Sequence, residues 1–129
     1  MTGRFRSLML LALALAIPAC ASGRGGKSSS NPNLLTEEEI VAAGYTDAYS
    51  TIQALRPNWL LVRGATTFGS PHPIRVYLDE QRYGGVDALK NISTQQVGAM
   101  RYYNGIQASE RWGLDNGGGA IQVVTRRGR

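Results

Sequence analysis

Residues 118–126 read Gly-Gly-Ala-Ile-Gln-Val-Val-Thr-Arg, and this stretch contributes most to the prediction of the fold. Two glycines followed by residues rich in β-branched side chains predict a turn that leads into a strand over residues 120–125. Phosphate-binding loops also contain glycine runs, but they precede a helix N-terminus, whereas here a strand follows. We therefore interpret residues 117–119 as a tight turn.

Three earlier segments also have strand character. Residues 74–79, Ile-Arg-Val-Tyr-Leu-Asp, place aliphatic side chains at alternate positions, which predicts a strand with one buried face. Residues 99–103 predict a second strand, and the apolar run at 59–63 predicts a short buried one. Residues 64–73 are expected to form a loop between the strands at 59–63 and 74–79.

The N-terminal part of the domain predicts two helices. Thr36 begins a capping box, because its side chain can accept from the N–H of Glu39 while Glu39 reaches back to the N–H of Thr36. Gly44 is expected to cap the end of this helix. Asp47 opens a second helix, which ends before Pro57.

Two further helical segments complete the prediction. A second capping box at residues 93–96 predicts a short helical turn, and residues 107–112 predict a short helix closed by Gly113. Short helices mixed with short strands indicate an α+β domain over residues 34–126, built on a small mixed sheet.

The first residues carry a separate export signal. Arg4 and Arg6 precede ten unbroken apolar residues at 8–17, which is typical of a secretory signal over residues 1–19 and is too short for a membrane span. The following Ile-Pro-Ala-Cys resembles a bacterial lipobox. That resemblance implies acylation of Cys20, including palmitate, and a lipid anchor in the membrane; an ordinary cleavage site beside an incidental cysteine is the alternative.

Residues 20–33 predict a flexible tether, because they are dominated by Gly, Ser and Asn. Ser22 stands at the position that sorts bacterial lipoproteins, and the absence of Asp there implies the outer membrane. The end of the chain is basic, because Arg126, Arg127 and Arg129 lie in its last four positions. We interpret residues 127–129 as a basic tail. The tail is expected to be solvated, although it could contact lipid phosphates or an acidic partner, and no interleaved aromatic residues suggest nucleic acid.

The chain has few groups for catalysis or metal binding. One cysteine and one histidine, Cys20 and His72, preclude a disulfide framework and a Cys/His zinc site. We therefore expect no metal, no cofactor and no enzymatic activity. Asp79, Glu80 and Asp87 could form a carboxylate pair, but Asp79 is better explained as a turn residue after its strand.

The aromatic residues leave two possibilities open. Tyr77 lies on the opposite face from the aliphatic residues of its strand, and Tyr102 and Tyr103 must point to opposite faces of theirs. Either a tyrosine is exposed on the sheet for binding, or these rings are half-buried against a helix.

Residues 47–125 resemble the plug domain of TonB-dependent outer-membrane receptors. The resemblance includes the helix ending at Pro57, a strand followed by Gly64, a strand ending in Asp79, and the Gly-Gly-x-Ile-x-Val-x-Thr-Arg ending quoted above. Glu80 and Asn104 depart from the family pattern. The resemblance implies structural roles for a set of turn and strand residues: Gly64, Asp79, Gly105, Gly113, Gly118, Gly119 and Thr125.

The resemblance implies an envelope location but not transport. A membrane barrel needs at least eight strands of roughly ten residues, so none is expected from the residues after Arg126. The first hypothesis is a non-enzymatic outer-membrane lipoprotein whose plug-like domain faces the periplasm and binds an envelope protein, such as a barrel or transport component. The alternative is a small-ligand carrier that uses residues 64–73 and 116–119 as a recognition rim.

Overall fold

The computed structural model describes residues 31–62 and 72–127. Cys20 and Gly64 lie outside these ranges, as do the signal segment, most of the tether and the last two residues of the basic tail. The elements in chain order are β1 (Leu34–Thr36), α1 (Glu37–Ala43), α2 (Ala48–Leu55), β2 (Arg75–Leu78), β3 (Gln81–Gly85), β4 (Val97–Tyr103), α3 (Gly105–Trp112) and β5 (Ala120–Thr125). Short 3₁₀ helices lie at Pro57–Leu60, Val86–Asn91, Thr94–Gln96 and Leu114–Asn116.

The strands form one mixed sheet in the order β1-β4-β5-β2-β3. β5 lies at the centre, antiparallel to β4 and parallel to β2, while β1 and β3 are antiparallel edge strands. The predicted α+β class with a small mixed sheet is therefore confirmed. The sequence near the C-terminus supplies the central strand, which explains why it carries the strongest β signal.

The helix caps form where the sequence predicts them. Thr36 and Glu39 make both bonds of the capping box, and Gly44 ends α1 with a φ of 71°. Asp47 caps α2 by accepting from the N–H of Ser50 at 2.8 Å. The predicted box at residues 93–96 forms only in part: the Ser93 side chain accepts from the N–H of Gln95 at 3.4 Å, and a helical turn follows.

The predicted strand at 59–63 is wrong over its described part, because Pro57–Leu60 forms a 3₁₀ helix. Pro57 provides the fixed φ that suits the first turn of a helix, and Trp59 is held by a bond from its indole N–H to the carbonyl of Pro32, at 3.0 Å. Short apolar runs do not separate strand from buried helix. The position of Trp59 is fixed by contacts distant in sequence, with Pro32 and with Tyr102.

Two strands and one helix start differ from expectation in milder ways. β1 and β3 were not expected, since β1 has three residues and β3 reads Gln-Arg-Tyr-Gly-Gly. α3 begins at Gly105, two residues before the predicted start, because Asn104 and Gln107 form a capping box.

The main core lies on one face of the sheet, beneath α1, α2 and the 3₁₀ helices at Pro57–Leu60 and Val86–Asn91. Its members are thirteen buried, almost wholly apolar side chains: Leu35, Ile40, Ala48, Ile52, Trp59, Ile74, Val76, Leu89, Ile92, Val97, Met100, Ile121 and Val123. Within residues 31–62 and 72–127, no helix is long and apolar enough to cross a membrane.

Candidate functional site

The second face of the sheet is only partly covered, by α3. The Trp112 ring stacks on Tyr77 with centroids 4.1 Å apart and meets Tyr103 edge-on at 5.1 Å. Ala108 and Ala120 are fully buried in the same cluster. For Tyr77, the half-buried alternative is therefore the better description, because its ring packs against a helix and it is 5% exposed.

Beyond Tyr103 the second face is open and forms a groove of about 580 Å³. We call this depression the groove. It lies across the end of the sheet formed by β1, β4 and β5, beside the end of α3. Its lining combines three aliphatic side chains with a larger polar set: Leu34, Ala99 and Val124, and Asp79, Glu80, Arg101, Tyr103, Arg111, Gln122, Thr125 and Arg127.

Gln122 organises the floor of the groove. Its side-chain oxygen accepts from the Tyr103 hydroxyl at 3.0 Å. Its amide nitrogen donates to the carbonyl of Asp79 at 2.7 Å and to the Glu80 carboxylate at 2.9 Å. A nearly buried amide with three partners holds one orientation, so the floor is formed before any ligand arrives.

Glu80 and Arg111 neutralise each other along one wall. The Arg111 guanidinium donates to both carboxylate oxygens, and it lies 5.5 Å from the Tyr103 ring centroid and 5.0 Å from that of Trp112. The hydrogen bond from Arg111, aided by its charge and by Gln122, lowers the pKa of Glu80. The same bond raises the pKa of Arg111. Glu80 therefore stays ionised and is a poor candidate for a general acid.

Asp79 is committed to the turn after β2, as its sequence position predicts. It has a φ of 54°, and its carboxylate accepts from the backbone N–H of Thr125 at 2.9 Å and from the Thr125 hydroxyl at 3.0 Å. The same turn is held by the Asp79 N–H, which donates to the carbonyl of Val123 at 2.7 Å. Asp79 and Thr125 thus meet across the adjacent strands β2 and β5.

Arg101 and Arg127 are the cations of the groove that find no carboxylate partner among the described residues. Both are exposed, and each described ion pair involves other side chains. Arg126, next to Arg127, differs because its guanidinium contacts Glu37 at 2.9 Å. The groove therefore has one internally neutral wall and two arginines available to an anionic group.

Four of the predicted structural glycines, Gly105, Gly113, Gly118 and Gly119, lie among the described residues, and none of the four lines the groove. A Cβ at Gly118 would fall 1.9 Å from the His72 carbonyl oxygen, and one at Gly105 would fall 2.1 Å from that of Gly117. Gly113 and Gly119 have φ values of 99° and 98°. His72 thus lies beside the glycine turn rather than in a cluster of ligands.

No group of three or more His, Cys, Asp or Glu side chains within residues 31–62 and 72–127 is arranged to hold a metal ion. A second depression, of about 770 Å³, lies between the start of α3 and Leu114. Ile106 and Leu114 are exposed there by 74% and 89%. It offers little besides apolar surface, whereas the groove combines a fixed polar floor with charge.

Sequence reasoning did not find Arg101, Arg111 or Gln122. Of these three, Gln122 is the residue that the sequence could have indicated. It is the single amide in an otherwise aliphatic run, and a buried amide must form hydrogen bonds with neighbouring groups. Arg127 was noted only as part of the basic tail. No protein-family model, curated protein or solved structure matches this chain.

Proposed function

We propose that this protein is a non-enzymatic outer-membrane lipoprotein, anchored through Cys20, whose plug-like domain faces the periplasm and binds an envelope protein partner. The signal segment and the lipobox-like Ile-Pro-Ala-Cys support the anchor. The resemblance to receptor plug domains supports the envelope location and the class of partner.

The observation that carries the binding role is the groove. Its floor is rigid, because Tyr103, Gln122 and Glu80 are joined by hydrogen bonds. Aliphatic side chains from three strands lie beside arginines, the mixture of apolar and Arg surface that protein interfaces favour. Preformed sites lose less side-chain entropy on association.

The small-ligand alternative receives less support. It uses residues 64–73 and 116–119 as a rim, and residues 64–71 lie outside the described ranges. In the second loop Asn116 is buried, with its side chain accepting from the Tyr77 hydroxyl at 2.9 Å. Gly118 and Gly119 are also buried, against His72 and the end of β4. These contacts leave that loop few groups with which to bind a ligand.

The anchor is tested by replacing Cys20 with Ser in the full chain. Labelled palmitate is expected to enter the wild-type protein only, and only the wild-type protein should remain with outer membranes. Incorporation of label into the Cys20→Ser protein would refute lipidation at this residue.

The binding site is tested by placing a photo-crosslinking amino acid at Ala99 or Val124 in the groove of the full-length, membrane-localised protein. The same group at Gln53, exposed on α2 away from the groove, is the control. We expect one discrete crosslinked product from both groove positions and none from Gln53. Products that are alike at all three positions would contradict binding at the groove.

A further inference from the structure

We propose that the groove binds an extended acidic segment of the partner, with its carboxylates pairing with Arg101 and Arg127. This inference rests on the proposed function and adds the chemistry of the partner. The residues that carry it are the two arginines and the aliphatic side chains that lie beside them in the sheet.

Within the part of the chain that the structure describes, the carboxylates of the groove are already paired, whereas two of its arginines are not. Glu80 is paired with Arg111, and the carboxylate of Asp79 accepts from both the backbone N–H and the hydroxyl of Thr125, the hydroxyl lying within hydrogen-bond distance of both carboxylate oxygens. Arg101 and Arg127 have no such partner among the described residues. An incoming anion therefore meets two uncompensated guanidinium groups, whereas an incoming cation meets carboxylates already engaged.

The register of the sheet places Arg101 among neutral neighbours. Arg101 is opposite Leu34 on β1 and opposite Gln122 on β5. Ala99, two residues earlier on β4, is opposite Val124, which is 36% exposed. Ala99 and Arg101 therefore lie on the same face of β4, two residues apart. An extended segment in which every second side chain is acidic presents its carboxylates on one face with that same two-residue spacing, so that face can lie against Arg101.

The shape of the groove favours a protein segment over a membrane surface. Arg111 and the end of α3 form a wall beside the floor, so the floor lies in a depression rather than on a flat surface. Guanidinium groups bind carboxylates with two parallel N–H···O bonds. Phosphate groups of lipids could use the same donors, so the experiment must separate the two sources.

The test uses the full lipidated protein in phosphatidylcholine nanodiscs and a fluorescein-labelled peptide of three Glu-Val repeats. Anisotropy is measured for this peptide and for the matched Gln-Val and Lys-Val peptides. We expect saturable binding of the Glu-Val peptide, weaker binding of the Gln-Val peptide and a marked loss of affinity as salt is raised. No saturable binding of the Glu-Val peptide at low salt would overturn the inference.

Arg101→Glu and Arg127→Glu provide the decisive variants, because both side chains are exposed and neither has a described ion pair to lose. Each should weaken binding of the Glu-Val peptide about tenfold or more, and Arg101→Glu should improve binding of the Lys-Val peptide. The control is Arg82→Glu on β3, an exposed arginine that does not line the groove. Equal losses in all three variants would overturn the inference.

Phosphatidylglycerol nanodiscs distinguish binding of lipid phosphates in the groove from binding of an acidic peptide there. If lipid phosphates occupy the groove, these nanodiscs will block binding of the Glu-Val peptide to the wild-type protein and to Arg82→Glu, which would overturn the inference. In the photo-crosslinking experiment, a product that persists in Arg101→Glu would leave the proposed function standing and reject the acidic partner.

Discussion

The two faces of the sheet differ in how completely they are covered. Ile121 and Val123 of β5 point into the main core, where helices pack over the sheet, and both are fully buried. Gln122 and Val124 of the same strand point to the other face, where α3 covers only one end. A single strand therefore contributes to a packed core on one side and to a polar groove on the other. The comparison indicates that the side needed for stability and the side available for binding are separate in this domain.

The largest effect is expected from removing β5 itself. Deletion of residues 120–129 takes away the central strand, which pairs with both β4 and β2. β4 and β2 then each lose the hydrogen-bond partners along one edge, and the sheet is split between them. We expect loss of cooperative thermal unfolding and rapid proteolysis of the domain. A truncated protein that melts cooperatively at the wild-type temperature would show that β5 is dispensable.

Ile121→Ala and Val124→Ala compare the two faces directly within one strand. Ile121 is fully buried, so its truncation should lower the free energy of unfolding by about 2–4 kcal/mol. Val124 is partly exposed, and its truncation should cost less than about 1 kcal/mol. Chemical denaturation measures both. Equal losses would mean that the groove face is as tightly packed as the core.

The glycine turn that leads into β5 predicts a third effect. In Gly118→Ala the new methyl group would meet the His72 carbonyl, so the backbone must shift, at a cost of about 1–3 kcal/mol. Gly85→Ala is the matched control, because a Cβ there has no described atom within 4 Å. Coinciding denaturation curves for the two variants would show that the close approach of the His72 carbonyl does not require glycine at position 118.

The smallest effect concerns the charged wall of the groove. Arg111 lowers the pKa of Glu80 in the folded state, so this pair stabilises the fold above the unfolded pKa, near 4.5, and the contribution disappears as pH falls through the lower folded value. Glu80 is exposed, so the melting temperature should change only slightly. Between neutral and acidic pH, the melting temperature of the wild-type protein should fall slightly more than that of Glu80→Gln. Glu110→Gln, which removes no described ion pair, should follow the wild-type profile.

The caps and the aliphatic strands could be predicted from sequence because their signals are local. Thr36 with Glu39 and Asp47 with Ser50 bond within three residues, and the alternation in β2 and β5 is read directly from neighbouring side chains. β3 escaped prediction because a polar, glycine-containing edge strand buries little and has no such pattern. Pro57–Leu60 was mistaken for a strand because an apolar run does not specify its own conformation.

The groove could not be predicted because its residues come from separate parts of the chain. Arg101, Gln122 and Glu80 are brought together by the β1-β4-β5-β2 order, and strand order is not written in any one segment. Asp79 was assigned to a turn, which is confirmed, but its bond to Thr125 depends on the parallel pairing of β2 with β5.

By itself, the sequence determined the α+β class, the capped starts of α1 and α2, and the glycine turn before β5, since each depends on residues within a few positions of one another. The prediction of a lipid anchor at Cys20 also depends on sequence alone. Only the tertiary structure decided that helices pack over one face of the sheet and that the other is left open beyond Tyr103. That difference arises because α1, α2 and 3₁₀ helices pack together on the first face, whereas α3 spans only eight residues, or roughly 12 Å at 1.5 Å per residue, and leaves part of the second face open.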